Sequence, residues 1–272
     1  MKKFKWSNLY LILVFVLLYA PIFYLIFYAF NEGGTMNTFT GFTLDYFSEL
    51  FSDSRLLLIL AETFLLAFLS SLLATLIGTF GAMGIYYTKK RRQRNVLLGF
   101  NNILLVSPDV IIGASFLIFF TFVGWKLGFS SVLLSHIAFS IPIVVLMVLP
   151  KLQEMNDSMI DAARDLGANN VQVLQKIVLP FLTPGIVAGY FMAFTYSLDD
   201  FAVTFFVTGN GFTTLSVEIY SRARQGISLE INALSALVFL FSLVLVVGYY
   251  FISKDNIPHK QHKKRFHGGG LR

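Results

Sequence analysis

Cysteine is absent from all 272 residues, and charge is scarce, with 13% of side chains being Asp, Glu, Lys or Arg. The first absence excludes a disulfide framework and any thiolate metal site, and it leaves the redox compartment unread. No lysine or arginine falls in any of six long apolar runs, at 8–30, 56–86, 96–123, 128–150, 181–208 and 232–252. The dipeptide Gly-Lys never occurs, so the phosphate-cradling pattern G-x-x-x-x-G-K-[ST] is excluded. Metal-ligand spacing is likewise missing from the apolar runs, and nothing in the sequence indicates catalytic chemistry.

What is abundant is apolar surface. Hydrophobic residues make up 56% of the chain and aromatics 16%, and the mean hydropathy is +0.70. Such a composition belongs in a bilayer. Each of the six runs is long enough to cross about 30 Å of hydrocarbon at roughly 1.5 Å per residue. The expectation is an all-α integral membrane protein with six transmembrane helices. The first run has Lys2, Lys3 and Lys5 on its flank, as a signal peptide would, but its apolar core is too long and no small-residue cleavage site follows. It is therefore read as a helix that stays in the protein.

The net charge of +6 could point to nucleic acid, but the bases sit in short clusters between apolar runs. They act as topology signals. With the N-terminus inside, 17 of the 21 bases fall on inner segments, and the remaining four are Arg55, Lys126, Arg222 and Arg224. That bias puts both termini in the cytoplasm of a cell-membrane protein. The expected divisions are 1–55 (first helix and external segment), 56–252 (core) and 253–272 (basic cytoplasmic tail). The tail's histidines and lysines suit a topology anchor better than a metal or lipid site.

Four acids lie inside the runs: Glu62, Asp109, Asp199 and Asp200. Insertion scales put such a charge at roughly 2.5–3.5 kcal/mol near a helix centre, so each is a functional candidate. With no base in any run, they must be neutralised by protons, a partner subunit, water or a cationic cargo. Asp109 follows Pro108, where the missing donor predicts a broken helix whose freed carbonyls line a cavity. Asp199 and Asp200 are about 100° apart on an ideal helix, so at most one aims at a central path. Glu62 lies six residues into its run, near the outer surface. Tyr196 and Phe201 flank the Asp pair and offer faces for ammonium groups, although packing is the default for any aromatic in this chain. His136 reads as a hydrogen-bonded core histidine, and Gly78, Gly81 and Gly84 as close helix packing.

Between the fourth and fifth runs, 151–180 is too polar to span. Ser158 with Asp161 fits a capping box, Gly167 suits a left-handed helix end, and Asn169 or Asn170 caps a second helix expected to stop before Pro180. Ile160, Ala163 and Leu166 fall near one face.

This loop, "DAARDLGANNVQVLQKIVLP", resembles the EAA motif of bacterial ABC-importer permeases through Asp161, Ala162, Ala163, Gly167, Ile177, Leu179 and Pro180, with Asp161 replacing the commoner glutamate. The resemblance implies a type-1 permease fold in which the loop is a cytoplasmic coupling helix. It would sit in a groove of a separate ATPase dimer, so ATP is bound by partner chains and this chain has no cofactor of its own. "YSLDDFAVTFFVTG" and "IYSRARQGISLEINALSAL" are similar to the permeases of spermidine/putrescine importers, and the likeness runs over nearly the whole chain. It implies a substrate path containing Asp109, Ser197, Asp199 and Asp200, to which Tyr196 and Glu62 are added from their positions. It also implies a second homologous permease and an external polyamine-binding protein received by 31–55 and 209–231. An ABC permease for another solute, such as an amino acid, a sugar or ferric ion, is the alternative. A proton-coupled transporter and a non-transporting structural subunit are the more distant ones.

Overall fold

The computed structural model describes residues 6–226, 229–240 and 243. The chain forms two compact units, one from the segments before Asp53 and after Gly226, the other from Asp53 to Gly226. The basic tail lies outside the described residues, as does most of the sixth apolar run beyond residue 240.

The first unit holds α1 (Trp6–Tyr28), α2 (Asp45–Ser52) and, after Gly226, an apolar helix over Leu229–Leu240. Its loop is organised by Asn31, which is fully buried. The Asn31 amide donates to the Thr35 and Thr38 carbonyls at 2.6 and 2.8 Å and accepts from the Thr40 amide at 2.9 Å. One side chain thus replaces the regular structure that nine residues of loop would otherwise need. Ala29, Ala233 and Ala236 pack together beside it.

In the second unit the elements are α3 (Ser54–Tyr87), α4 (Arg91–Val106), α5 (Asp109–Val123), α6 (Phe129–Glu154), α7 (Asp157–Asp165), α8 (Asn170–Val173), α9 (Leu179–Asp199), α10 (Ala202–Val207) and α11 (Leu215–Gln225). The central packing is among α3, α6 and α9. Small residues make this possible. On α9 they recur every fourth position, as Gly185, Gly189, Ala193 and Ser197, all buried. Val144 of α6 is gripped from two sides: a Cβ on Gly78 would fall 2.7 Å from its Cβ, and one on Gly189 would fall 3.3 Å from its Cα. Between lipid-soluble helices, such close approach supplies the attraction that water exclusion cannot. Gly84, by contrast, has nothing within 4 Å and is no packing glycine.

Four helical stretches are long and apolar enough to span a membrane, and the α4–α5 pair makes a fifth. That pair is bent by 106° at Ser107–Pro108, the break that Pro108 foretells. The run expected at 181–208 is not continuous, because α9 ends at Asp199 and the chain is extended at Asp200. The second loop helix does not stop before Pro180 either. A π-helical turn over Leu174–Val178 carries it on, with the Leu179 amide reaching back five residues to the Leu174 carbonyl, so α8 to α9 form one helical stretch, Asn170–Asp199. The wider turn accommodates the missing N–H of Pro180.

Candidate functional site

Around the end of α9, the structure separates the two adjacent acids. Asp200 is buried, with its side chain 4% exposed, whereas Asp199 is exposed. The helix breaks here because the Asp200 carboxylate competes for backbone donors. It accepts from the amides of Val203 at 3.3 Å and Thr204 at 2.8 Å, and from the Thr204 hydroxyl at 2.7 Å, so it caps α10. The 100° separation expected of a continuous helix therefore does not describe this pair.

Asp200 terminates a buried hydrogen-bond chain. His136, fully buried on α6, has Nε2 2.9 Å from Thr204 Oγ1 and Nδ1 2.7 Å from Ser197 Oγ. Ser197 Oγ lies 2.9 Å from Ser70 Oγ on α3. Because Thr204 spends its one hydroxyl hydrogen on Asp200, Nε2 must carry the proton that bonds Thr204. Ser197 Oγ lies between Nδ1 and Ser70, whose hydroxyl also donates to the Ala67 carbonyl at 3.2 Å. Nε2 also lies 3.5 Å from Asp200 Oδ2. His136 is thus a satisfied core histidine, as the sequence suggests, and Ser197 sits inside the network rather than on an open surface.

The exposed flank holds the other acids. Asp109 stands in the first turn of α5, where the free amides of a helix start favour a negative charge. Its Oδ1 accepts from the Tyr196 hydroxyl at 2.7 Å. Asp199 lies within electrostatic range of Asp109 and Asp200. Phe139 divides flank from core, its ring edge-on to Tyr196 at 5.0 Å and against His136 at 4.8 Å. Among the described residues none of Glu62, Asp109, Asp199 and Asp200 pairs with a lysine or arginine. Glu62 is elsewhere, half-buried beside a 470 Å³ pocket that Arg55, Glu218 and residues 208–213 also line. Phe201 packs on Tyr220 and Phe205 instead of reaching the flank.

Near that pocket lies an ion-pair network that sequence reasoning missed. Arg222 bonds Glu218 at 2.8 Å and Asp53 at 3.0 Å, and Arg55 bonds Glu218 at 3.2 Å. Asp53 also caps α3 by accepting from the Leu56 amide at 3.0 Å. That amide first, and Arg222 second, hold its carboxyl below the usual carboxylate range.

The 151–180 loop folds as the short helix α7 and the capped start of the Asn170–Asp199 stretch, on the far side of the core. α7 is capped by Asn156, whose side chain accepts from the Ser158 amide at 3.0 Å, so the capping box expected at Ser158 and Asp161 is not formed. Gly167 has φ +83, and Asn169 with Gln172 makes a reciprocal capping box at 2.9 Å in each direction. Ile160 is buried and Ala163 half-buried, but Leu166 is 90% exposed because its residue has already left the helix. Asp161, Ala162, Gly167 and Pro180 are exposed; Ile177 and Leu179 are partly covered. A 540 Å³ pocket opens between this loop and the end of α3, lined by Met83, Tyr87, Asp161 and Arg164 among others.

No three potential metal ligands converge among the described residues. What the arrangement offers is an unpaired acidic flank on a bundle of membrane-length helices, joined by a continuous helix to a capped polar loop, and those are the parts of a transport permease. Residues 74–255 match the family of binding-protein-dependent transport system inner membrane components, and the chain belongs to that family. Among relatives, it is 34% identical to the spermidine/putrescine transport system permease protein PotC of Haemophilus influenzae, over 94% of this chain and 99% of that one. It is 33% identical to the putrescine transport system permease protein PotI of Escherichia coli, covering 90% and 88% of the two chains. In fold it is similar to a chain of a bacterial ABC transporter that imports the acidic polysaccharide alginate, with a TM-score of 0.71, 17% identity and 93% and 96% coverage.

Proposed function

We propose that this chain is one of two membrane-spanning permease subunits of an ATP-driven importer that moves polyamines across the cytoplasmic membrane. The observation that carries the reading is the flank of Asp109, Tyr196 and Asp199, an acidic surface with no lysine or arginine partner among the described residues. A polyamine is a flexible di- or trication whose ammonium groups need replacements for the water they give up. A carboxylate and an aromatic hydroxyl provide them at roughly 1.5–3 kcal/mol per charge-assisted contact, deep enough to guide and shallow enough to release. The names of the relatives support the same cargo.

The partners that follow are a second, homologous permease completing the path, an ATPase dimer at the 151–180 loop, and an external polyamine-binding protein at the opposite end. The distribution of bases supports cytoplasmic termini and a cytoplasmic loop. The test is uptake of radiolabelled spermidine by the assembled importer in proteoliposomes. Asp199→Asn and Asp109→Asn should each lower uptake about tenfold, the scale of one charge-assisted contact, with the complex still assembling. Full uptake by both variants would remove the flank from the path.

A further inference from the structure

A continuous helix from α9 into α10 would hold Asp199 and Asp200 at a fixed separation of about 100° on one rod. The structure shows instead a break that turns one acid inward and leaves the other out, and the groups that hold the break come from three separate elements. Ser70 on α3 and His136 on α6 converge on Ser197 from outside α9, at 2.9 and 2.7 Å, while the other nitrogen of His136 reaches Thr204 of α10 at 2.9 Å. His136 therefore bonds both sides of the break. Its imidazole is fully buried, and both ring nitrogens are spent on the two helices it joins. A carboxylate beside it, with no lysine or arginine partner among the described residues, is tolerable at this depth because amide and hydroxyl donors surround it.

We propose that His136 is a positioning residue for the acidic flank: by bridging Ser197 and Thr204 it holds the break at Asp200–Phe201, so that Asp200 serves as a buried cap and Asp199 alone of the pair meets a cationic passenger. This rests on the polyamine-path reading above and divides its labour. Asp199 and Asp109 are contact groups, whereas Asp200, Thr204 and Ser197 are a frame. The frame reaches the flank by a second route as well, since His136 packs on Phe139 and Phe139 on Tyr196, whose hydroxyl holds Asp109.

A residue that acts through Asp199 must lose its effect once Asp199 is neutral, and a double-mutant cycle reads that directly. Spermidine uptake is measured in proteoliposomes for the assembled importer carrying His136→Phe, Asp199→Asn or both, with co-purification of the complex as the check on assembly. His136→Phe keeps ring volume and removes both nitrogens. It should lower uptake about tenfold alone and add less than about twofold in the Asp199→Asn background. Thr204→Val should reproduce the loss, and Thr204→Ser, which restores the hydroxyl, should recover uptake. Multiplicative losses in the cycle would overturn the proposal, as would unchanged uptake in His136→Phe, or failure of both His136→Phe and Thr204→Val to assemble, which would assign the network to folding alone. If Asp199→Asn itself transports normally, the polyamine-path reading fails first, and the outcome is distinguishable from a failure of His136.

Discussion

Asp53 illustrates how much one half-buried carboxylate does in this chain. It caps α3 through the Leu56 amide and holds Arg222, which in turn grips Glu218. Asp53→Ala should cost about 1 kcal/mol from the cap, read as a lower unfolding temperature of the purified protein in detergent. The pH dependence has a definite sign. A carboxyl whose folded pKa is depressed contributes stability above its ordinary value, and that contribution drains away as pH falls through the folded value. Wild type should therefore lose more stability than Asp53→Asn between neutral pH and about pH 3, and parallel curves would show that the carboxylate is not engaged. On the flank, Tyr196→Phe removes a 2.7 Å hydrogen bond to Asp109 and little else. A loss in spermidine uptake of about threefold to tenfold, with assembly unchanged, is the expected result.

At the scale of elements, the glycines of α3 make a graded test of close packing. A methyl on Gly78 would press on Val144 and on the Ile141 carbonyl at 3.1 Å, one on Gly81 would make ordinary contact at 3.8 Å, and one on Gly84 would meet nothing. Gly78→Ala should destabilise by about 1–3 kcal/mol, Gly81→Ala should change little, and Gly84→Ala should stabilise by about 0.5–1 kcal/mol through helix propensity. Thermal unfolding of the three variants in one detergent checks the order, and Val144→Ala should rescue Gly78→Ala but neither of the others. The same elements show what a reader of the sequence could see. Helix existence was legible because apolar runs of membrane length have few other fates, and the bend at Pro108 because a proline cannot donate. The break at Asp200 was not legible: it depends on His136 and Thr204, and the histidine is 64 positions away, so local pattern still reads as helix. The cap at Asn156 rather than Ser158 was a choice between two competent residues that only the incoming chain from α6 decides. Of the candidate site, the residue types were readable and their sorting was not, since burial put Ser197 and Asp200 inside, left Asp109 and Asp199 outside, and moved Glu62 to another pocket.

For the whole molecule, the decisive feature is that the loop and the acidic flank share one helical stretch. It starts at Asn170, just past the Gly167 turn, and ends at Asp199, about 45 Å away at 1.5 Å per residue. The π-turn and Pro180 lie inside it, so a displacement of α7 has an unbroken strut leading to the acid. At the loop end, Ile160 faces the core while Leu166 projects with 90% of its surface free. A buried Leu contributes about 1.5–3 kcal/mol, so Leu166 is suited to anchor the ATPase proposed above without any cost to the permease fold. Leu166→Asp should leave helix content and unfolding temperature unchanged, because that side chain is 90% free among the described residues. The ATPase should no longer co-purify with the complex, and spermidine uptake should fall to background while the isolated ATPase keeps its own hydrolysis. If the ATPase is retained and transport persists, force enters the strut elsewhere, and the edge of the 540 Å³ pocket at Asp161 and Arg164 becomes the contact to test.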